Sequence, residues 1–327
     1  MSTALCCWCA APLVKLSGHW WCGNADDTCR VRQAKHGQFT TDGRGRLKEW
    51  LYVPLPKQAV WHEAVYDPAV TRFLIGGAAG PGKSICIRRI LYEFAKGLVP
   101  GFHALLLRKS IPDLKKSHLR FLPHEVGQLG GRWYEGDKMA VFPHKGQMDA
   151  IIRAGHFEDA SAMDDYLSAE FDVIAPDEIV TFPRDTILEL FTRCRSTNEA
   201  LYALRGLLIA ATTPEEQDED LDGSFVLGGT NPGGQLWVRD NWITKAPDLE
   251  EFPNYNPARW MFYDAKLRDN PYIKSGYVKN LRDMREARRR QLEDGDWDVF
   301  EGMFFSEWQQ QRMGKPYHVA TLADLAA

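Results

Sequence analysis

The chain has 327 residues, 44% hydrophobic and 26% charged, with a formal net charge of −4. That suits one large globular domain with small additions, or two domains, and excludes a nucleic-acid polycation; any DNA contact must be a local basic patch. No apolar run reaches the roughly 18 residues of a membrane span, and Met1-Ser2-Thr3-Ala4-Leu5-Cys6 has neither the basic nor the apolar region of a signal peptide. The expectation is a cytosolic chain with no membrane association. Its seven cysteines then serve as metal ligands or thiols, not disulfides.

Residues 1–48 read as a small module with a basic linker. Cys6, Cys9, Cys22 and Cys29 form C-x2-C-x12-C-x6-C. Thiolates at such spacing can close a tetrahedral Zn²⁺ site, and so small a segment needs a metal in place of a core. Cys7, His19 and His36 are substitute ligands; thiols in a mobile arm are the alternative. Arg30, Arg32, Lys35, Arg44, Arg46 and Lys48 make the next stretch basic. It either faces nucleic acid or is a solvated linker.

A proline-bearing run, Tyr52 to Gln58, precedes a short helical pattern from Ala59 to Val65. The Gln58 amide offers a donor and an acceptor, which matches N6 and N7 of adenine. Next comes the apolar strand Arg72-Phe73-Leu74-Ile75. After it Gly77-Ala78-Ala79-Gly80-Pro81-Gly82-Lys83-Ser84 reads G-x-x-x-x-G-K-S, and a helical run follows from Ile85 to Phe94. Strand, glycine-rich loop and helix are the context of a P-loop. Its backbone N–H groups and helix start face phosphate. Lys83 reaches the β- and γ-phosphates, and the Ser84 hydroxyl ligates Mg²⁺.

His103 to Arg108 reads as a second buried strand. Lys109 to Leu122, with Arg108 leading it, is basic and reads as a solvated helix or a DNA-facing one. Met139–Phe142 and Asp149–Arg153 read as antiparallel strands around a turn. Phe171-Asp172-Val173-Ile174-Ala175-Pro176 is an apolar strand ending in Asp177-Glu178. Asp177 is the Mg²⁺ carboxylate and Glu178 the group that activates water. A further strand from Ser224 ends in Thr230-Asn231-Pro232-Gly233-Gly234, where Thr230 and Asn231 could sense the γ-phosphate; the same tip is good turn chemistry.

These motifs, with Asp264-Ala265-Lys266-Leu267-Arg268-Asp269-Asn270-Pro271-Tyr272-Ile273, Gly295-Asp296-Trp297 and Glu301-Gly302-Met303-Phe304-Phe305, resemble the large terminase subunit of tailed bacteriophages. The resemblance covers about residues 50 to 310. It implies an α/β fold: a P-loop ATPase core of the ASCE type, whose members carry their own catalytic carboxylate, with a mainly parallel sheet (49–258). The zinc-like module (1–48) would precede it, and a helical lid (259–310) and a tail (311–327) would follow. The lid's helical run, Tyr277 to Glu293, has a basic face, and Trp297, Phe300, Phe304, Phe305 and Trp308 would dock it on the core.

The implied function is ATP hydrolysis, with Mg²⁺, coupled to translocation of double-stranded DNA into a procapsid. The implied partners are portal, small terminase subunit and further copies in a ring, in the host cytoplasm. Gln58 would read adenine, Thr230 and Asn231 would couple, and an arginine would act on the neighbouring subunit: Arg153 as a strand-ending residue, or Arg193 or Arg195. The family tip carries a glycine between the hydroxyl residue and Asn that is absent here. The family's nuclease domain is not expected in this chain. The rival readings are an ATP-dependent helicase-like translocase and a nucleotide-binding DNA adaptor without turnover.

Overall fold

The computed structural model describes residues 5–6, 9–24, 28–157, 163–206, 223–233 and 235–299, with the backbone of 311–312 and 315–316. Cys7, Gly234, Phe300, the run Glu301 to Phe305, Trp308 and most of the tail lie outside the described residues. Two hairpins come first: β1 (Leu13–Leu16) with β2 (His19–Cys22), and β3 (Gln38–Thr41) with β4 (Leu47–Tyr52), with helix α1 (Thr28–Lys35) between them. Helix α2 (Pro56–Ala64), strand β5 (Arg72–Gly77) and helix α3 (Lys83–Glu93) follow. The helix expected from Ile85 starts two residues earlier, because Gly82 turns the chain with a φ of 89°.

The remaining strands are β6 (His103–Arg108), β7 (Arg132–Tyr134), β8 (Met139–Phe142), β9 (Ala150–His156), β10 (Val173–Pro176), β11 (Phe225–Gly229) and β12 (Trp260–Ala265). With β5 they form one eight-stranded sheet in the order β12-β5-β11-β10-β6-β9-β8-β7. It is parallel from β12 to β9, and β8 and β7 close it antiparallel.

The strands read as near-continuous apolar runs because both faces are covered. Side chains alternate between the faces. Phe73, Ile75, Leu106, Val173, Phe225 and Leu227 join the core under α3, where Ile87, Ile90 and Leu91 are buried. Leu74, Leu105, Leu107, Ile174 and Val226 join the opposite core, with Ile179, Ile187, Trp237 and Trp242. One boundary differs from expectation. Residues 260–265, assigned above to the lid, are β12, an edge strand paired with the P-loop strand from Trp260↔Arg72 to Ala265↔Gly77. The run Trp260-Met261-Phe262-Tyr263 supplies aromatic area that a sheet edge can cover. After Ala265 come two helices, Ser275–Arg282 and Glu286–Glu293. Trp297 docks this segment: the ring is buried and meets Phe262 edge to face at 6.2 Å.

The N-terminal module is fixed to the core by buried polar groups. The Gln33 carboxamide accepts from Cys22 N–H (2.8 Å) and donates to the Trp20 and Pro54 carbonyls (3.1 and 2.7 Å). His36, just past α1, and His62 of α2 stack at 5.2 Å, and each places Nδ1 on a Glu93 carboxylate oxygen, at 2.7 and 2.5 Å. Tyr66 Oη–H donates to the same carboxylate at 2.7 Å. Burial pushes the Glu93 carboxyl up, but the His36 and His62 hydrogen bonds outweigh it and hold the group well below the usual range. Burial also lowers His62 against the pull of Glu93.

Both shifts mean that the unfolded chain binds protons more readily than the folded one, so acid destabilises. The midpoint of thermal unfolding is expected to fall as pH drops below about 6.5, where unfolded His62 takes its proton, and more steeply below about 4.3, where unfolded Glu93 does. Circular dichroism melts from pH 8 to 4 check this. Glu93→Gln should lower the midpoint at pH 7 and flatten the acid limb; an unchanged acid limb would remove the cluster from the stability of the fold.

Candidate active site

The P-loop joins the end of β5 to the start of α3. Gly77 has a φ of 113°, and a Cβ there would stand 2.4 Å from the Ala265 carbonyl oxygen, so only glycine fits. The loop's back is held by the segment after β12. Ala78 N–H donates to Ala265 O (2.7 Å), Ala79 N–H to Leu292 O (2.8 Å), and Asn270 Nδ2–H to Gly80 O (2.6 Å). Gly295 packs so closely that a Cβ on it would lie 2.5 Å from Gly77 Cα. The sequence runs around Asn270 and Gly295 are thus braces of the phosphate loop. Gln58 braces it too. Its Oε1 accepts from Leu55 N–H (2.9 Å), and its Nε2–H donates to the Pro81 carbonyl (3.1 Å).

The acidic pair faces this loop from β10, two strands away. Ser84 Oγ–H donates to Asp177 Oδ2 at 2.7 Å. The same oxygen lies 3.0 Å from His118 Nε2 and 3.2 Å from Arg108 Nη1. Arg88 Nη1 lies 3.3 Å from His118 Nδ1 and is paired in turn to Glu125; as donor it leaves the His118 proton on Nε2, toward Asp177. Burial raises the Asp177 carboxyl, but His118, Arg108 and Ser84 together hold it far below the usual range.

Glu178 behaves oppositely. Burial and then the Asp177 charge push its carboxyl up. Its backbone is left-handed, φ 66° and ψ 55°, a conformation that costs a side-chain-bearing residue of order 1 kcal/mol and collects at functional sites. Between the two halves stands Asn231. Its Oδ1 accepts from Lys83 Nζ (2.7 Å), and its Nδ2–H donates to Glu178 (3.0 and 3.2 Å). Burial lowers the Lys83 ammonium to about 8, against the pull of Glu178 and Asp177.

No protein-family model and no curated protein matches the chain. Solved structures do. The large terminase of a thermophilic bacteriophage superposes with a TM-score of 0.55 at 16% identity, over 74% of this chain and 52% of that one. A crystal form of that terminase in complex with ADP gives 0.54 at 14% identity over the same shares. A mutant ATPase domain of the Thermus phage P74-26 large terminase gives 0.50 at 13%, over 75% of this chain and 95% of that one. The fold is that of a large terminase ATPase domain. The chain spans about half the length of the longer terminases it matches.

Within this terminase ATPase fold, P-loop, acidic pair and Asn231 converge as a single cluster. Thr230 is in the cluster's backbone only: it is fully buried, and its hydroxyl donates to the Asn231 carbonyl at 2.9 Å. Arg153 does not end its strand. It sits mid-strand in β9, opposite Leu105 and Met139, and β9 continues to His156. Arg193 and Arg195 flank Cys194, which bridges to Phe171 at the start of the acidic strand, the end opposite Asp177.

Arg108 and His118 are site residues that the sequence reading counted with a basic surface segment. Arg108 carried a usable signal: it ends β6 at the carboxyl edge of a parallel sheet, where such sheets place their sites. His118 carried none, since the turn at Lys115–Leu119 that buries it follows no pattern in the sequence.

The donor sets fit the implied metals. Ser84 Oγ is a hydroxyl oxygen and Asp177 Oδ2 an oxygen of a carboxylate kept ionised, both the hard donors that suit Mg²⁺. The sulfurs of Cys6, Cys9, Cys22 and Cys29 lie within 4.8 Å of one another, a soft tetrathiolate set of the kind that suits Zn²⁺.

Arg108 is the cation shared by both carboxylates, 3.9 Å from Glu178. Arg108→Ala is expected to lower phosphate release about a hundredfold or more, the scale of one preorganised charge-stabilising donor, with an unchanged circular dichroism spectrum. Release at the wild-type rate would take Arg108 out of the site.

Proposed function

We propose that this chain is the ATP-hydrolysing motor subunit of a phage DNA-packaging machine. The observation that carries the reading is Asn231, which ties the P-loop lysine to the water-activating carboxylate inside a terminase ATPase fold. Lys83 and the P-loop N–H groups hold the phosphates. Glu178, with its carboxyl raised toward neutral pH, takes the proton of the attacking water as the γ-phosphoryl group leaves ADP. Asn231 loses or regains its bond to Lys83 according to what the lysine holds. Mg²⁺, on Ser84 and Asp177, would neutralise charge between the β- and γ-phosphates.

Coupling would run through the lid, whose Leu292 carbonyl accepts from Ala79 N–H and whose Asn270 amide donates to Gly80 O. Double-stranded DNA, portal, procapsid and small terminase subunit are the partners of this reading, and copies of the chain form a ring. Arg153, one strand beyond β6, is the candidate to act on a neighbour's nucleotide. No described helix is long and apolar enough to cross a membrane. A nucleotide-binding adaptor has no use for a carboxylate positioned as Glu178 is, which favours the enzyme.

Glu178→Gln should keep ATP binding and abolish turnover. Phosphate release is measured with and without procapsid–portal and DNA. Normal release by this variant overturns the assignment, and ATP binding without release by the wild-type chain under every condition makes it an adaptor.

A further inference from the structure

The cysteine module packs against the segment after β12. Trp20 N–H donates to Tyr272 Oη (3.1 Å), the Tyr272 hydroxyl donates to the Gly18 carbonyl (3.3 Å), and the two rings meet edge to face at 6.2 Å. Between module and segment lies a cavity of about 820 Å³. Leu5, Cys6 and Ala10 of the module form one wall; Lys57, Asp264 and Leu267 are among the residues opposite.

The P-loop lies behind one wall of the cavity. A Cβ on Gly80 would meet Ile273 Cδ1 at 2.8 Å and Leu267 Cδ1 at 3.2 Å, and both side chains line the cavity. Asn270, whose amide holds Gly80 O, lines it too. Because β12 and β11 flank β5 on opposite sides, this space lies on the side of the loop away from the acidic pair. A nucleotide with its phosphates on Lys83 and Ser84 has its nucleoside end to place there.

We infer that the cysteine module closes the nucleoside end of the triphosphate site, so that base and ribose lie between the module and the segment after β12. The inference rests on the P-loop reading of the preceding section. The volume is that of a small-molecule cleft. Leu5, Leu267 and Ile273 offer apolar contact to the faces of a base. Asp264, held by Lys57 at 2.8 Å, offers a carboxylate to ribose hydroxyls, the use made of an acidic residue in other nucleotide sites.

Cys6 belongs both to the cavity wall and to the four-cysteine cluster. A metal on the four sulfurs fixes the position of that wall. Metal in the module therefore sets nucleotide affinity while touching no phosphate.

The test compares ADP with inorganic tripolyphosphate, which has the phosphates and lacks the nucleoside. Binding of each to the full chain is measured by calorimetry for wild type, Leu5→Trp, Ala10→Trp and protein stripped of zinc by a chelator. Leu5 and Ala10 are exposed, so these replacements leave folding intact. The ADP affinity of both variants should shift by about tenfold or more, the scale of overfilling a packed site, with tripolyphosphate unchanged. Zinc removal should do the same where the stripped chain stays folded, and the tryptophan variants decide the question where it does not. Unchanged ADP affinity in both variants, or tripolyphosphate affinity falling in parallel, overturns the role of the module and leaves the P-loop reading standing. A wild-type chain that binds neither ligand overturns both.

Discussion

Everything in the site depends on one strand being where it is. Because β11 lies between the P-loop strand β5 and the acidic strand β10, the tip after β11 emerges between Lys83 and Glu178. A single carboxamide there accepts from Lys83 and donates to Glu178, which an ionised carboxylate, an acceptor only, could not do. The spacing needs backbone at close quarters. A Cβ on Gly229 would stand 2.6 Å from Asp177 Oδ1, so glycine at the end of β11 is what lets the Asp177 carboxylate lie over that strand. The residues of that strand are themselves core: Phe225 and Leu227 pack on one face of the sheet and Val226 on the other, so the tip is positioned by a strand buried on both sides.

The two adjacent carboxylates acquire different chemistry from their neighbours alone. Asp177 sits among Ser84, His118 and Arg108, all of which favour its charged form. Glu178 is turned by its left-handed backbone toward Asn231, while burial and the Asp177 charge disfavour ionisation. A shift of one pKa unit corresponds to about 1.4 kcal/mol, so opposite shifts give the two neighbouring carboxyls different ionisation, which is what the metal-binding and proton-accepting roles proposed for them need. Arg88 and Glu125 extend the arrangement one layer deeper, since they fix which nitrogen of His118 faces Asp177.

Much of this was legible in the sequence. The P-loop, Asp177-Glu178, the strands at Met139 and Ala150 and the four cysteines follow from spacing and alternation, which are local properties. Asn231 was legible as a polar strand tip, but not as the bridge, because bridging depends on strand order, and strand order is not local. Arg108 and His118 were lost for the same reason: basic residues in a polar stretch look alike until the fold selects two of them. That residues 260–265 pair with β5 was not legible, because β12 is an edge strand, half-covered, with no turn signal between Ala265 and Lys266. Gln58 was read by its amide chemistry, which is sound; the fold directs that amide to Leu55 and Pro81, where it shapes the loop.

The runs around Asn270 and Gly295 have a physical use beside the P-loop: they pack against its back. Any triphosphate site needs glycines and a lysine. Only one whose loop is to be felt elsewhere needs its back fixed to a second element. Two hydrogen bonds of about 1 kcal/mol each join the segment after β12 to the loop, Ala79 N–H donating to Leu292 O and Asn270 Nδ2–H donating to Gly80 O, while Ala78 N–H is held by Ala265 O of β12 itself. Such bonds are far below the total stability of a domain. The anchoring of Trp297 against Phe262 is apolar and does not use those bonds. In the motor function proposed above, a loop that shifts on gaining or losing a phosphate would alter these polar bonds while the buried Trp297 keeps the segment attached, a separation of a weak, polar contact from a stronger, apolar one that suits a hinge.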